Sequence, residues 1–317
     1  MAITVNKNSV CSLFSIQFPI LQGGMLWIAN AGLAAAVSDA GALGVISPYA
    51  GMDEDGDPQQ NLRLQIRQIR ELTDKPFGVN IPLDLPMSGL LIDTLLQEKV
   101  QIAITAAGDP KLFTELLHSA EIRVVHVISS VLQAKLAESC HVDAVIAEGA
   151  EAAGRIGRDE ISLFSLIPQV VDAVSVPVIA AGGIADGRGL AAAFALGADG
   201  VQLGTRFVAT DECIAHRNYK EAILKARDTD TAVTRWDIPE RSLKPIFAGS
   251  LPKSTGRSRA RRAQIEGDLT TGGAYAGSSA GLISEILPAA VIVGNLAKSL
   301  ESLSQTPRLQ ASKTRKD

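Results

Sequence analysis

Short apolar runs recur along the first two thirds of the chain, each followed by glycine or polar residues and then by a segment with helical spacing. The clearest pair is Val176–Ala181 and Gly200–Leu203, which bracket an alanine-rich stretch too apolar for a surface hairpin. That pattern predicts a β-α-β unit with parallel strands. Six earlier runs read the same way: Phe18–Gln22, Leu43–Ser47, Pro76–Asn80, Gln101–Thr105, Ile122–Ile128 and Val142–Ala147. Helices are expected between them. Asn30 is placed to cap one over Ala31–Ala40. An acidic loop, Gly51–Pro58, leads into another over Gln59–Leu72, where Leu62, Ile66 and Ile69 fall on one face. Further helices are predicted over Ser88–Gln97, Pro110–Ser119 and Val131–Ser139. A polar loop, Glu148–Glu160, precedes one that runs through Val174.

Eight strands alternating with helices over about the first 205 residues, without a sheet-crossing break, predict an α/β fold of the closed (β/α)8 type, a TIM barrel. Chemistry in such barrels sits at the carboxyl ends of the strands. The polar and glycine residues here fall at those ends: Gln22, Gly23 and Gly24 after the first strand, Asn80 after the third, Thr105 at the end of the fourth and Glu148 after the sixth. Gly182 and Gly183 follow the seventh strand, Gly204 and Thr205 the eighth. Glycine lets backbone N–H groups approach an anion closely, so two such turns on adjacent strands can grip one phosphate. Ordinary tight βα turns are the alternative reading, and for Asn80 a turn-forming role.

After the barrel the pattern changes. Asp211–Arg227 reads as a helix. Asp228–Ala276 reads as irregular and holds Trp236 and Tyr275. Its basic run Arg257–Arg262 is expected to be a solvated helix face or loop, with a nucleotide or acyl-carrier contact as the alternative. Gly272–Gly281 is a second glycine-rich loop, followed by an apolar helix near Leu282–Leu300. Ser304–Asp317 reads as a disordered tail. The expected organisation is a barrel from residues 1–210 with part of 279–300. A small, mostly helical or irregular subdomain over 211–278 would lie on the substrate side.

Composition narrows the classes. Apolar residues make up 46% and aromatic ones only 4%, so the core is built of Ala, Val, Ile and Leu. A net charge of −4 argues against nucleic acid as a partner. Cys11, Cys140 and Cys213 are odd in number and far apart, which suggests neither a disulfide framework nor a zinc site, and no metal is expected. No run reaches the length of a membrane span. The apolar patch Val10–Phe14 leads into a strand-like segment and not a cleavage site, so no signal peptide is expected and the chain reads as cytoplasmic. The oligomeric state is open, a homodimer being one option.

With these rim residues in place, the chain resembles the nitronate monooxygenase (2-nitropropane dioxygenase) family, which includes the FMN-dependent enoyl-acyl-carrier-protein reductases. The resemblance spans about residues 18–300. It rests on Pro19–Met25, Phe77–Asn80, Asp143–Gly149, Pro177–Gly187 and Gly204–Phe207, in the family's order. His216–Asp228 looks like the reductase branch, and Ala276–Ser284 like the family's late glycine-rich loop. The resemblance implies an FMN barrel, with NADH or NADPH as electron donor in the reductase branch. By residue matching, Gly182, Gly183, Gly204 and Thr205 would hold the FMN phosphate. Gly23, Gly24, Met25 and Asn80 would lie against the flavin, with Glu148 and Gln202 near it.

One position departs from the family. Its usual Glu-Ala-Gly-Gly-His-x-Gly, whose His handles protons, is here Glu151-Ala152-Ala153-Gly154-Arg155-Ile156-Gly157. Arginine stays protonated and accepts no proton near neutrality. Base-assisted oxidation of a neutral nitroalkane is therefore not expected, whereas a guanidinium could fork onto a preformed nitronate or another small anion. His126, near the end of the fifth strand, is the substitute base to examine, although a His in a strand is usually structural. The leading expectation is O2-dependent oxidation of a nitronate. The alternatives are an NAD(P)H-dependent enoyl-thioester reductase, drawing its acyl group from a thioester or an acyl carrier protein, a flavin-binding protein without turnover, and a barrel for another phosphorylated ligand.

Overall fold

The computed structural model describes residues 8–235, 237–244 and 256–304. Trp236 and residues 305–317 of the expected tail lie outside them. In chain order the main elements are α1 (Ser9–Phe14), β1 (Ile20–Gln22), α2 (Ala31–Asp39), β2 (Gly44–Ile46), α3 (Pro58–Leu72), β3 (Phe77–Pro82) and α4 (Ser88–Gln97). Then come β4 (Ile102–Ala106), α5 (Thr114–Ser119), β5 (Arg123–Ile128), α6 (Val131–Ser139), β6 (Ala144–Glu148), β7 (Gly154–Arg155), α7 (Leu163–Ala173), β8 (Val178–Ala181), α8 (Gly187–Ala195) and β9 (Gly200–Leu203). The last are α9 (Thr205–Val208), α10 (Arg217–Lys225), β10 (Thr231–Arg235), β11 (Pro239–Leu243), α11 (Gly256–Arg261) and α12 (Ala289–Ser304).

Eight parallel strands run in the order β1-β9-β8-β6-β5-β4-β3-β2. The ring closes between β1 and β2: Gln22 N–H donates to Leu43 O and Leu43 N–H to Ile20 O, both at 2.9 Å. The expected (β/α)8 barrel is the observed fold. Gln22, expected on the rim, belongs instead to this seam. Its fully buried side chain accepts from Val45 N at 3.0 Å.

Side chains alternate between the two faces of each strand. Leu21, Val45, Ile104, Val125, Ile146, Ile179 and Ala181 fill the barrel interior, and Val10 and Phe14 of α1 pack onto the same cluster. The patch Val10–Phe14 is thus a short helix, capped by Asn8, that plugs the amino-terminal end of the barrel. The other strand face packs against the helices, as with Val79, Val124, Ile128 and Val145. α3 shows why its sequence folds so: Asp57 caps it, Pro58 opens it, and Leu62, Ile66 and Ile69 are its buried stripe. Asn30 caps α2 as expected, accepting from Leu33 N. Among the described residues no helix is long and apolar enough to cross a membrane.

Several expectations are corrected. Asn80 lies inside β3 and not after it, because pairing with β4 continues to Pro82↔Ala106. Pro110–Ser119 breaks into a 3-10 turn (Pro110–Leu112) and α5. The expected helix Asp211–Arg227 is only Arg217–Lys225, begun by His216. The expected helix near Leu282 starts at Ala289, after Pro288. Within the segment read as irregular, β10 and β11 form an antiparallel hairpin, and β11 pairs with β7, which lies in the polar loop after β6.

The described part of the basic run is not solvated. Arg259 is 5% exposed and pairs with Glu240 at 3.3 Å. Arg261 lies 5.8 Å over the Trp27 ring and contacts Glu266 and Asp53. Arg261 thereby ties the lobe formed by β10, β11 and α11 to the barrel.

Candidate functional site

A cavity of about 770 Å³ opens at the carboxyl ends of the strands, and every residue singled out from sequence as catalytic or cofactor-binding lies on its wall. Lateral register explains how three of them converge. Glu148 pairs with Ala181, and Ala181 with Gln202, so all three share the inward face at one level. Asn80 pairs with Ile104, an interior residue, and points inward as well. The apolar barrel core therefore carries a polar top layer of Asn80, Glu148 and Gln202.

The first turn fits tightly beneath this layer. Asn80 Nδ2 donates to Ile104 O at 3.1 Å, which fixes the amide. A Cβ at Gly24 would lie 2.6 Å from that amide, so the approach requires glycine. A Cβ at Gly23 would lie 3.4 Å from Gln202. Met25 follows on the cavity wall.

The paired glycine turns differ in kind. Gly182 and Gly183 have φ of +103° and +72°, a backbone that side chains rarely adopt. Gly204 has an ordinary φ, and a Cβ there would meet nothing within 4 Å: the space beside it is open. Thr205 is mostly buried, and its hydroxyl accepts from Gly277 N at 3.0 Å. Ser278 N donates to Glu151 O at 2.9 Å. The late glycine-rich loop is thereby tied down over the turns after β6 and β9. Gln202 Oε1 is buried and has no hydrogen-bond partner.

Arg155 is set by the small sheet. It stands directly opposite Glu240 in the β7–β11 register, and Ile156 N donates to Pro239 O at 3.0 Å. Its Nη1 lies 2.6 Å from Asp84 Oδ2, and its Nε 3.8 Å from Glu240 Oε1. Glu240 in turn meets Arg259, so four charges of alternating sign run from the β3–α4 loop into the lobe. Tyr275, on the cavity wall, has its phenol pushed above the usual range by burial and by Glu240.

His126 shares its strand face with Val124 and Ile128, which pack in the outer layer. Its Nδ1 lies 2.8 Å from Thr105 Oγ1, and burial lowers its pKa to about 4. It borders the cavity as a neutral, hydrogen-bonded ring, a weak base with a structural partner. Glu148 is the opposite case: burial raises its pKa to about 8, so it holds a proton at neutrality.

Sequence reasoning did not reach Asp84, Glu240, Ser47 or Gln264, which also line the cavity. Ser47 Oγ and Gln264 Oε1 are buried without hydrogen-bond partners. Ser47 was legible as a polar residue ending the second strand. Gln264 lies on a π-helical turn, Arg262–Glu266, that no local pattern announces.

A barrel with a polar top layer and paired glycine turns on one rim defines an α/β class of site, and comparison with known proteins gives the family. The model described as nitronate monooxygenase matches residues 7–89 and 88–298. The chain belongs to the nitronate monooxygenase family and is an oxidoreductase of that family. It is similar in structure to FabK from Thermotoga maritima, with a TM-score of 0.85 and 42% identity over 93% of this chain and 96% of that one. It is 38% identical, over 78% of its length and 69% of the relative's, to (3aS,4S,5R,7aS)-5-hydroxy-7a-methyl-1-oxo-octahydro-1H-indene-4-carboxyl-CoA dehydrogenase of Rhodococcus jostii. It is 32% identical to a probable nitronate monooxygenase of Staphylococcus aureus, over 96% of this chain and 93% of that protein.

Proposed function

We propose that this chain is an FMN-dependent oxidoreductase acting on an acyl thioester, such as reduction of an enoyl thioester at the expense of NADH or NADPH. The observation that carries this reading is the pairing of Arg155 with Asp84 and Glu240. Where the family's proton-handling His would stand, the chain has neither a base nor an uncommitted cation. That disfavours a neutral nitroalkane, and it leaves Arg155 already charge-compensated before any nitronate arrives.

The residues fit flavin mononucleotide. The positive-φ glycines Gly182 and Gly183 and the open space beside Gly204 would hold its phosphate. Gly23, Gly24, Met25 and Asn80 would bound the ring. The unpartnered Gln202 Oε1 is suited to accept a hydrogen bond from it. When bound, FMN supplies the two-electron chemistry. The protein's part is to fix the ligand, exclude water and hold protons. Apolar wall residues such as Leu85, Ile128 and Leu136 suit an acyl chain. The carboxyl-CoA dehydrogenase of Rhodococcus jostii among the similar proteins supports the same substrate class.

A nitronate is the second reading, favoured by the family match and the Staphylococcus aureus relative. Anaerobic mixing separates the two. NADH or NADPH should bleach the yellow holoenzyme and an enoyl-CoA should restore the colour, while a nitronate does neither. Bleaching by the nitronate alone would give the function to the second reading.

A further inference from the structure

Among the described residues, the titratable side chains on the inner wall of the cavity have partners, with one exception. Arg155 and Glu240 are paired as described, and Glu151 accepts from Leu163 N at 2.9 Å. His126 is held by Thr105 at 2.8 Å. Arg158 and Asp159 are exposed at the mouth. Glu148 has no hydrogen bond or ion pair, yet it lies on the cavity wall at the end of β6 and faces inward.

Its surroundings supply no compensating charge. β8 beside it carries only apolar residues, and His126 of β5 turns to the outer layer. Of the helices packed on β6, α6 presents Lys135, which is exposed, and Glu138, which accepts from Ser175 N. α7 presents Asp172, on the outer side of the barrel. Gln202, at the same level beyond the small Ala181, also lacks a partner for Oε1. This layer of the barrel thus faces a ligand group that the protein does not provide.

We propose that Glu148 stands in the cavity as a neutral carboxyl and donates a hydrogen bond to a carbonyl oxygen of the bound ligand. Such a donor polarises the carbonyl and stabilises negative charge that develops on it. The carbonyl has two sources, the acyl thioester or the flavin ring, so the inference rests in part on the function proposed above. The raised pKa of Glu148, about 8, agrees with a carboxyl that holds its proton at neutrality.

The test uses holoenzyme of the wild type, Glu148→Gln and Glu148→Ala from about pH 6 to about pH 10. Infrared difference spectra between wild type and Glu148→Gln should show a protonated carboxyl at neutral pH. That band should be lost as pH rises through about 8. In one arm, affinity for a non-reducible thioester analogue is measured; in the other, the visible flavin spectrum without thioester. In whichever arm reports the true source, wild type should change across this range, by about ten-fold in the case of affinity. Glu148→Gln, which keeps a donor, should be flat and close to wild type at low pH. Glu148→Ala should be impaired throughout. If no thioester binds, the proposed substrate class fails, and the infrared and flavin arms still decide the role of Glu148. An ionised carboxylate at neutral pH, or Glu148→Ala matching wild type in both arms, would overturn the proposal.

Discussion

Arg155 Nη1 lies 2.6 Å from Asp84 Oδ2 across the cavity mouth, joining the strip of chain after β6 to the loop after β3. The guanidinium that stands where the resemblance leads one to expect His is therefore a clasp between loops. The pair is half exposed, and such pairs contribute about 0.5–1 kcal/mol. Arg155→Ala should lower stability by no more than about 1 kcal/mol in urea unfolding. It should raise KM for an enoyl thioester several-fold through the loosened loops, with kcat much less affected. A double-mutant cycle with Asp84→Ala should find the two losses coupled; strict additivity would deny the clasp.

Glu240 behaves differently because it is 8% exposed and faces the buried Arg259. Removing one partner of a buried pair costs about 3 kcal/mol. Glu240→Ala should therefore destabilise several times more than Arg155→Ala in the same urea titration. Equal effects would mean that Arg259 finds enough substitute partners within the lobe.

Much of this architecture was legible in the sequence, and the reasons for the rest are physical. Strand order and the position of Glu148 follow from period and chain order, since each barrel strand packs next to its neighbours in sequence; Gln202 is marked only by the resemblance, and Asn80 reads as following a strand that in fact runs on to Pro82. Register then decides which of them meet. The β7–β11 contact was not legible: Gly154–Arg155 is too short to show alternation, and Glu240 lies far along the chain. The basic run misled for the same reason. Arg259 and Arg261 look solvated until distant Glu240 and Trp27 are brought against them. The resemblance marked Arg155 as exceptional, but no local signal revealed that Asp84 would neutralise it.

The glycine turns allow flavin retention to be separated from folding. Gly183→Val places a branched side chain at φ +72° and should reduce both stability and flavin content. Gly204→Ala meets no protein atom within 4 Å, so it should fold with an unchanged Tm. If the open space there is the phosphate's, the variant should nonetheless purify with a lower flavin-to-protein ratio. Full flavin content in Gly204→Ala would move the phosphate away from this turn.

Burial of Glu148 has a consequence for pH stability. Its folded pKa, about 8, stands above the ordinary 4.5, so the folded chain binds the proton more tightly than the unfolded one. The stabilisation linked to that proton is complete below about pH 4.5 and is lost as pH rises through about 8. His126 acts the other way: its pKa is lowered from 6.5 to about 4, so stability falls as pH drops through that range. Glu148→Gln removes only the first effect. Its Tm relative to wild type should therefore increase between about pH 5 and about pH 8. A difference that stays constant would mean that Glu148 titrates normally.

The most direct test of the proposed function is the ratio of kcat/KM for two substrates on one preparation of holoenzyme. An enoyl-CoA is followed by consumption of NADH or NADPH and appearance of the saturated thioester, and a small alkyl nitronate by consumption of O2. With Arg155 held by Asp84 and Glu240, the ratio should favour the enoyl thioester by at least about a hundred-fold, about 2.7 kcal/mol of transition-state stabilisation. A ratio near one or below, with O2 consumed on nitronate and no saturated thioester formed, would contradict it.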